Sequence, residues 1–556
     1  MREADRPDTA HADSFARDNL PLAVLRPERL PVPGAAYAER MNAVSELLDA
    51  WIERGHGAAP AFTSAESGET WSYAALFETV NRIANVLTTR FGLVSGARVM
   101  LRSANNPMFV ACYLAVMKAG GIVVATMPLL RAKELRAIAD KGQVSMIVSD
   151  ARLVAEARET AAVCESVTTL LTFGGEGADD LGTHLGEASP AFEAAPTFAH
   201  DICLIGFTSG TTGQPKGTMH DHADVLAICD CYGAHVLKAK ASDVFIGSPP
   251  LAFTFGLGGL VLFPMRVGAS AVLLEKPAPD ALLAAIRTHR PTVCFTAPTA
   301  YRALLGLAEP GDLASLATCV SAGEALPRAT FDAWMEATGH PLMDGIGATE
   351  MLHIFISAPR EAIRPGAVGL PVPGYEAKVI GEDGAELPDG ETGRLAVRGP
   401  TGCRYLADSR QADYVQDGWN VTGDTFTRDA DGYFWYRARS DDMIVSSGYN
   451  IAGPEVEEAL MAHDAVAECG VVGAPDPERG HIVKAYIVLK DGWRGNDETT
   501  KALQDHVKAA IAPYKYPRAV AFVDGLPRTQ TGKLQRHALR ALASEDAGGD
   551  ARGDAA

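Results

Sequence analysis

The feature that most constrains this chain is a short apolar run that opens into a loop of small polar residues. Leu204, Ile205 and Phe207 predict a buried strand, and the residues that follow are mainly Gly, Ser and Thr. Such a loop offers backbone N–H groups and hydroxyls without bulky side chains, which suits it to binding phosphate oxygens. The residues expected to take part are Thr208, Ser209, Gly210, Thr211, Thr212 and Lys216.

The loop departs from that of the P-loop nucleotidases. Their lysine is followed by Ser or Thr and then by a helix. Here Pro215 precedes Lys216 and Gly217 follows it. A mobile surface turn would explain a glycine loop equally well. The phosphate-binding interpretation therefore depends on motifs elsewhere in the chain.

Length, composition and charge limit the classes of function. A chain of 556 residues is too long to form a single compact core. Its composition, with 47% hydrophobic and 21% charged residues, is ordinary for a globular enzyme. The formal net charge of −19 disfavours nucleic acid and anionic membranes as partners, which leaves small molecules. The 9 cysteines are scattered and complete no zinc site. They indicate reduced thiols, hence a cytoplasmic protein, and no signal peptide or bilayer-spanning stretch is visible.

The order of the patterns predicts an α/β protein with a small α+β domain at the end. Helical patterns alternate with β-branched runs from Trp71 to about residue 300, and short β-runs follow. The predicted parts are an extended arm (1–36), a large domain (37–440) with a β subdomain at about 366–436, a small domain (441–544) and a disordered tail (545–556).

Six further motifs, most of them rich in glycine or charged residues, lie along the rest of the chain. They are Pro-Pro-Leu-Ala-Phe-Thr-Phe-Gly at 249–256, Ser-Ala-Gly-Glu-Ala-Leu-Pro at 321–327, Met-Asp-Gly-Ile-Gly-Ala-Thr-Glu at 343–350, Trp-Asn-Val-Thr-Gly-Asp at 419–424, Tyr-Arg-Ala-Arg-Ser-Asp-Asp-Met-Ile at 436–444, and Pro-Arg-Thr-Gln-Thr-Gly-Lys at 527–533. Together with residues 203–218, these motifs resemble the adenylate-forming superfamily. That superfamily contains acyl- and aryl-CoA synthetases, luciferases and peptide-synthetase adenylation domains, and the resemblance is greatest to benzoate- and 2-aminobenzoate-CoA ligases.

The resemblance implies a role for each motif. Lys533 would act on the carboxylate and α-phosphate, Thr349 would hold the α-phosphate, and Glu350 would bind Mg²⁺. The remaining ATP or AMP contacts would be Gly323, Glu324 and Ala325 in a loop on the adenine side, Asp344 and Gly345, Asp424 at the ribose hydroxyls, and Arg439 at ribose or phosphate. Asp441 would be the hinge of the small domain, and the CoA path would pass Ser447, Gly448 and Tyr449.

The same resemblance implies an aromatic acid as substrate. Its pocket would be formed by Phe253, Thr254, Phe255, Ile346, Gly347, His353 and Ile354. Ile346 replaces the tyrosine of many family members, as it does in benzoate-type ligases. Where benzoate-specific enzymes tend to carry Ala and Tyr, this chain has Thr254 and Phe255. The hydroxyl of Thr254 favours an ortho substituent, so 2-aminobenzoate is expected before benzoate.

The implied reaction joins a carboxylate to ATP, releases pyrophosphate and transfers the aryl group from AMP to CoA. Because two anions meet, the protein must supply cations and fixed donors, and no covalent nucleophile is needed. A stand-alone adenylation enzyme that loads a carrier protein would share every motif. A luciferase-like oxygenase fits the surroundings of Ile346 and His353 less well. A non-catalytic nucleotide-binding protein would be expected to lack Lys533, Glu350 or Asp424. The oligomeric state, monomer or homodimer, is left open.

Overall fold

The structure is a computed structural model of the chain. It describes residues 8–208, 215–439, 442–446, 449–476, 480–511, 513–529 and 533–550.

The strands of the described part are numbered in chain order. They are β1 (Pro60–Ser64), β2 (Thr70–Ser72), β3 (Arg98–Arg102), β4 (Ile122–Thr126), β5 (Met146–Asp150), β6 (Thr169–Phe173), β7 (Ile202–Thr208), β8 (Lys216–Asp221), β9 (Val244–Gly247), β10 (Ser270–Leu273), β11 (Val293–Thr296), β12 (Thr318–Ala322), β13 (Leu342–Gly347), β14 (Ile354–Ser357), β15 (Leu370–Pro371), β16 (Glu376–Ile380), β17 (Thr392–Arg398), β18 (Val415–Gln416), β19 (Trp419–Arg428), β20 (Phe434–Arg439), β21 (Met443–Ser446), β22 (Tyr449–Ala452), β23 (Val466–Asp476), β24 (Gly480–Leu489) and β25 (Ala519–Phe522).

The α-helices are numbered in the same way. They are α1 (Phe15–Asp18), α2 (Ala50–Glu53), α3 (Tyr73–Asn85), α4 (Pro107–Lys118), α5 (Ala132–Gly142), α6 (Val154–Val163), α7 (Leu181–Leu185), α8 (His222–Ile228), α9 (Thr254–Leu257), α10 (Phe263–Val267), α11 (Pro279–His289), α12 (Pro298–Leu307), α13 (Arg328–Thr338), α14 (Gln411–Tyr414), α15 (Gly453–Met461), α16 (Asp497–Ala510) and α17 (Arg536–Asp550). Helix α17 extends into the segment 545–556 that was predicted to be disordered. Within the described ranges, every helix is too short or too polar to cross a lipid bilayer.

Two large sheets carry the glycine-rich segments. The first runs β6-β5-β3-β4-β7-β8, parallel except for β8, which returns antiparallel to β7. The second runs β15-β14-β13-β12-β11-β9-β10-β1-β2 and is parallel from β13 to β1. The core contains Val99, Leu204, Phe245 and Phe295 from these sheets. Parallel sheets covered by helices on both faces need such near-continuous apolar strands.

Two smaller sheets follow. The first has the order β16-β17-β19-β18, with β20 beside β19, and it is antiparallel. The last has the order β22-β21-β24-β23, with β25 parallel to β24, and helices α15 and α16 pack on its core. The α/β class predicted from the sequence, with α+β structure at the end, is confirmed.

Local sequence explains several of the elements that bear on the site. Asn106 caps α4, since its side chain accepts a hydrogen bond from the amide of Phe109, and Pro107 occupies the first turn. Asp221 caps α8 by accepting from the amide of Asp224. The chain therefore leaves β8 and enters a helix at once, which holds the strand after the glycine-rich loop in place.

Candidate active site

The predicted motifs meet because they follow the carboxyl ends of neighbouring strands. The segment after β9 begins at Ser248, that after β12 begins at Gly323, and that after β13 begins at Ala348. In open α/β sheets ligands bind at this edge. Thr208 and Lys216 lie opposite each other where the first sheet reaches the same place. This edge is the candidate active site.

Gly206 shows how closely the two sheets approach there. A Cβ atom added at Gly206 would lie 2.7 Å from Cγ2 of Thr349 and 3.9 Å from Cγ2 of Thr254. The first distance is too short for any side chain, so the backbone of β7 can contact Thr349 only because this residue is glycine. One residue of β7 thus borders both the predicted nucleotide contact and the predicted acid pocket.

A charged cluster occupies the end of the candidate site where the sequence predicts the nucleotide. The hydroxyl of Tyr405 donates to Oε1 of Glu350 at 2.5 Å and accepts from Nζ of Lys216 at 3.1 Å. Nζ of Lys216 lies 3.9 Å from the same carboxylate oxygen. Glu350 and Tyr405 are buried. Within the described part of the chain, Oε2 of Glu350 has no hydrogen-bond partner, which leaves it available to a cation.

Buried ion pairs hold the segment that carries Glu350. Nε2 of His220 lies 2.7 Å from the carbonyl oxygen of Thr349, and Nδ1 lies 3.3 Å from Asp224. Asp224 and Asp221 are fully buried, and Arg404 pairs with both of them, as Arg29 does from the other side. Arg404 and Arg29 hold the pKa of Asp224 below its usual range, against desolvation by burial, which alone would raise it. Burying charges is costly unless they are paired, and here the pairs link the arm to β8.

Lys533 reaches the same edge from the end of the chain. A Cβ atom added at Gly323 would lie 3.7 Å from Cε and 4.0 Å from Nζ of Lys533. Two hydrogen bonds join Lys533 to Thr529: the amide of Thr529 donates to the carbonyl of Lys533 at 2.7 Å, and the amide of Lys533 donates to Oγ1 of Thr529 at 3.0 Å. The ammonium group therefore lies beside the predicted adenine loop.

Asp424 lies in β19, directly opposite Arg439 of β20. Its backbone amide donates to Oγ1 of Thr422 at 3.2 Å, and Thr422 is buried. Asp424 is half-buried, and the strands that pair with β19 fix the backbone from which its side chain projects. This position fits the predicted ribose contact, which stays a prediction.

The opposite end of the site is a box of aromatic rings around His353. The ring of His353 lies 4.6 Å from that of Phe263, 5.4 Å from Tyr232 and 5.8 Å from Phe255, centroid to centroid. A Cβ atom added at Gly258 would lie 2.3 Å from Cδ2 of His353. Both ring nitrogens of His353 are buried and have no hydrogen-bond partner in the described part of the chain.

Desolvation sets the charge state at both ends. Burial lowers the pKa of His353 to about 3, so its ring is neutral at neutral pH. Burial raises the pKa of Asp344 to about 7, opposed by a hydrogen bond from the backbone of Gly345. Desolvation disfavours the charged form of either group, which explains why the two shifts have opposite signs.

The remaining predicted pocket and nucleotide residues lie on the same segments. Ile354 packs on Gly345, and Gly347 lies against the backbone of His353. Ile346 and Phe255 pack on the core, Phe253 precedes helix α9, and Glu324 and Ala325 follow Gly323. Predicted residues outside the described ranges are Ser209, Gly210, Thr211, Thr212, Asp441, Ser447 and Gly448. The side chains of Arg439 and Tyr449 are likewise outside the description.

Sequence reasoning did not find Tyr405, His220 or the aspartate–arginine cluster. Asp221 and Asp224 carried a usable signal, because an Asp three residues before another Asp at a helix start predicts a capping pair. Tyr405 and Arg404 carried no such signal, since nothing in the sequence of residues 402–406 predicts that Tyr405 lies beside Glu350 or that Arg404 lies beside Asp221 and Asp224.

Comparisons with known proteins identify the family to which the chain belongs. The AMP-binding enzyme family model matches residues 48–405, and the model of the AMP-binding enzyme C-terminal domain matches residues 455–533. The chain belongs to the AMP-binding enzyme family. This confirms the predicted adenylate-forming superfamily and an AMP-forming acid–thiol ligase as the class of enzyme.

Individual relatives are similar over nearly the whole chain. The benzoate–CoA ligase of Thauera aromatica is 36% identical over 515 residues, covering 91% of this chain and 97% of the relative. The solved structure of the anthranilate CoA ligase AuaEII in complex with anthranoyl-AMP has a TM-score of 0.87 at 34% identity, and the match covers 92% of this chain and 99% of that one. A benzoate CoA ligase from Burkholderia xenovorans LB400 has a TM-score of 0.81 at 31% identity, and the match covers 90% of this chain and 100% of that one.

Proposed function

We propose that this protein is an aryl-CoA ligase that uses ATP to activate an aromatic carboxylic acid, with 2-aminobenzoate as the preferred acid and benzoate as the nearest alternative. The observation that carries the proposal is the junction at Gly206. Gly206 lies against Thr349, which precedes Glu350 of the charged cluster, and against Thr254, which precedes Phe255 of the aromatic box. An acid whose ring enters the box would present its carboxylate toward the charges.

Size and polarity of the box argue for a ring as the acyl group. Phe255, Phe263 and Tyr232 pack around His353, and Phe295 packs on Phe255, so the walls of the box are flat aromatic rings, which suit a flat aromatic ligand. The relatives named benzoate– and anthranilate–CoA ligase are in keeping with this reading. The two bare nitrogens of His353 and the hydroxyl of Thr254 are the polar atoms that could distinguish ring substituents.

Glu350 fits a magnesium ion. Mg²⁺ prefers hard oxygen ligands and is often held by one or two carboxylates together with substrate phosphates. The described part of the chain contains no cluster of three or more His, Cys, Asp or Glu side chains for a metal. Glu350 is a buried residue whose Oε1 is held by Tyr405, and Oε2 accepts no hydrogen bond from a described residue. When bound, the ion would neutralise phosphate charge.

The chain's own residues would do the remaining work. Lys216 and the predicted loop 208–212 would hold the β- and γ-phosphates, and Asp424 would hold the ribose. Lys533 would stabilise the negative charge that develops between carboxylate and α-phosphate, because a fixed cation lowers the barrier without reorganisation. The second step would transfer the aryl group from AMP to the thiol of CoA, after the small domain turned about Asp441 and removed Lys533.

The substrate is tested by kcat/KM for 2-aminobenzoate, benzoate, 2-hydroxybenzoate, acetate and a medium-chain fatty acid, with CoA-thioester formation as the readout. We expect kcat/KM for 2-aminobenzoate to exceed that for benzoate by about tenfold to a hundredfold. A pocket seldom rejects a smaller analogue more strongly than this, unless the analogue leaves buried polar groups without partners. Preference for either aliphatic acid would contradict the aromatic box. Aryl-AMP formation without CoA consumption would instead support the carrier-protein alternative.

Two substitutions at one position test the ortho contact. Thr254→Val removes the hydroxyl at nearly constant shape and should abolish the preference for 2-aminobenzoate. Thr254→Ser retains the hydroxyl and should keep it. If the valine variant keeps the preference, Thr254 does not read the substituent, and only this part of the proposal fails.

A further inference from the structure

Tyr405 lies at the centre of the charged cluster, yet none of the roles above uses its hydroxyl. The residue is 1% exposed, and its backbone pairs with Thr218 of β8. Its oxygen lies between Glu350 and Lys216, at 2.5 Å from a carboxylate oxygen and 3.1 Å from the ammonium nitrogen.

The chemistry of the three groups fixes the direction of both hydrogen bonds. An ammonium group can only donate and an ionised carboxylate can only accept. The phenol therefore gives its single proton to Glu350 and receives one from Lys216. The ordinary pKa of a tyrosine is about 10, so the phenol keeps its proton at physiological pH.

This arrangement keeps two opposite charges apart. Nζ of Lys216 and Oε1 of Glu350 are separated by 3.9 Å, whereas a direct ammonium–carboxylate hydrogen bond measures about 2.8 Å. If the phenol oxygen were absent, the flexible lysine could close onto the carboxylate. A nucleotide with its metal would then have to break that pair before either charge could contact it.

The phenol is held rigidly from behind. The backbone amide of Tyr405 donates to Oε1 of Gln411 at 2.7 Å, and Gln411 is itself buried. Gln411 in turn donates to the carbonyl groups of Leu25 and Cys403. The ring of Tyr414 packs against Tyr405 with 5.8 Å between centroids and 66° between planes. A position fixed by backbone and ring contacts lets the hydroxyl orient its two partners.

We propose that Tyr405 is a positioning residue, whose hydroxyl spaces and orients Glu350 and Lys216 so that both charges remain available to the metal and the terminal phosphates of ATP. The inference rests on the proposed function, because it assumes that Glu350 and Lys216 meet Mg·ATP. It assigns Tyr405 no contact with the substrate.

Equilibrium binding without the acid provides the test. The affinities of wild type and Tyr405→Phe for Mg·ATP and for AMP are measured by calorimetry. Mg·ATP binding should weaken about tenfold, the usual effect of losing a hydrogen bond to a charged group. AMP lacks the β- and γ-phosphates, so its affinity should not change. A merely structural role would weaken both ligands alike.

A matched control is Tyr73→Phe. Tyr73 is also buried, and its hydroxyl donates to the carbonyl of Ala269 far from the cluster. This variant should bind Mg·ATP as wild type does, and thermal unfolding of both variants shows whether they are folded. Tyr405→Leu, which also lacks the oxygen, replaces the phenylalanine variant if that one does not fold.

A double substitution tests the partner. If Tyr405 acts through Glu350, adding Tyr405→Phe to Glu350→Gln should weaken Mg·ATP binding much less than it does in the wild type. Equal losses for Mg·ATP and AMP, or no loss for Mg·ATP, would overturn the inference while leaving the proposed function intact. Failure of the wild type to bind Mg·ATP would overturn both.

Discussion

Glu350 and His353 are three residues apart, and the surroundings of their side chains are built on opposite principles. The carboxylate of Glu350 is held by Tyr405 beside Lys216, where charges are spaced and paired. The ring of His353 lies among aromatic side chains, and neither ring nitrogen has a hydrogen-bond partner among the described residues. In the proposed function, this short segment would serve both the end that attracts phosphates and the end that accepts a ring. The difference shows that the edge of the sheet determines where these two residues lie, while side chains from distant parts of the chain determine the polarity around each of them.

The largest expected effect comes from removing a cation at the charged end. Lys533→Ala should lower the adenylation rate by about 10²–10³, the usual effect of losing one positioned electrostatic group. Transfer from supplied aryl-AMP to CoA should change little, because Lys533 would act only in the first step. Single-turnover assays of each half-reaction measure this.

Lys515→Ala is the matched control for that experiment. Lys515 is another lysine of the last domain, and it pairs with Glu455 at 2.6 Å. Both half-reactions should proceed normally in this variant. Equal losses in both half-reactions of Lys533→Ala would contradict a role confined to adenylation.

The second prediction separates the nucleotide from the acid. Asp424→Ala should raise the KM for ATP about tenfold, because a hydrogen bond to a charged group is lost. The KM for the acid should stay the same, since the proposed role of Asp424 is confined to the ribose of the nucleotide. Steady-state kinetics with each substrate varied in turn measures both constants. An unchanged KM for ATP would remove Asp424 from the nucleotide site.

The third prediction disturbs the aromatic box alone. Gly258→Ala would place a methyl group 2.3 Å from the ring of His353, so ring or helix must move. We expect a higher KM for the acid, an unchanged KM for ATP, and a loss of about 1–3 kcal/mol in the free energy of unfolding, as is usual for overpacking. Gly306→Ala, also at a helical glycine but with open space around it, is the control and should be neutral.

The smallest effect is a pair of opposite pH dependences. Since the folded pKa of His353 is about 3, below its usual value of about 6.5, wild type should lose stability relative to His353→Phe as pH falls below 6.5. Since the folded pKa of Asp344 is about 7, wild type should lose stability relative to Asp344→Asn as pH rises from about 4 to 7.

Each slope is at most about 1.4 kcal/mol per pH unit, the limit for a single proton. Thermal unfolding of the three proteins between pH 5 and pH 8 measures the differences. Slopes of the same sign would mean that desolvation does not govern both ends.

Several parts of the site could be predicted because their signals are local. The apolar run of β7 and the small residues after it indicate a strand and a phosphate-binding loop by composition alone. Thr349 and Glu350 are recognisable by the glycine-containing segment that precedes them in the sequence, and Lys533 by the motif before it. Such features depend on residue type and spacing, which the sequence contains in full.

The α/β class, the superfamily and the candidate site residues can therefore be inferred from the sequence. The folded chain is needed to show that Tyr405 lies between Glu350 and Lys216, that Arg29 and Arg404 share two buried aspartates, and that His353 is neutral among aromatic rings. The reason is physical: hydrogen bonds, ion pairing and desolvation depend on distances between residues that are remote in the chain. Tyr405 and Glu350 are 55 residues apart, and no local pattern encodes the 2.5 Å between them.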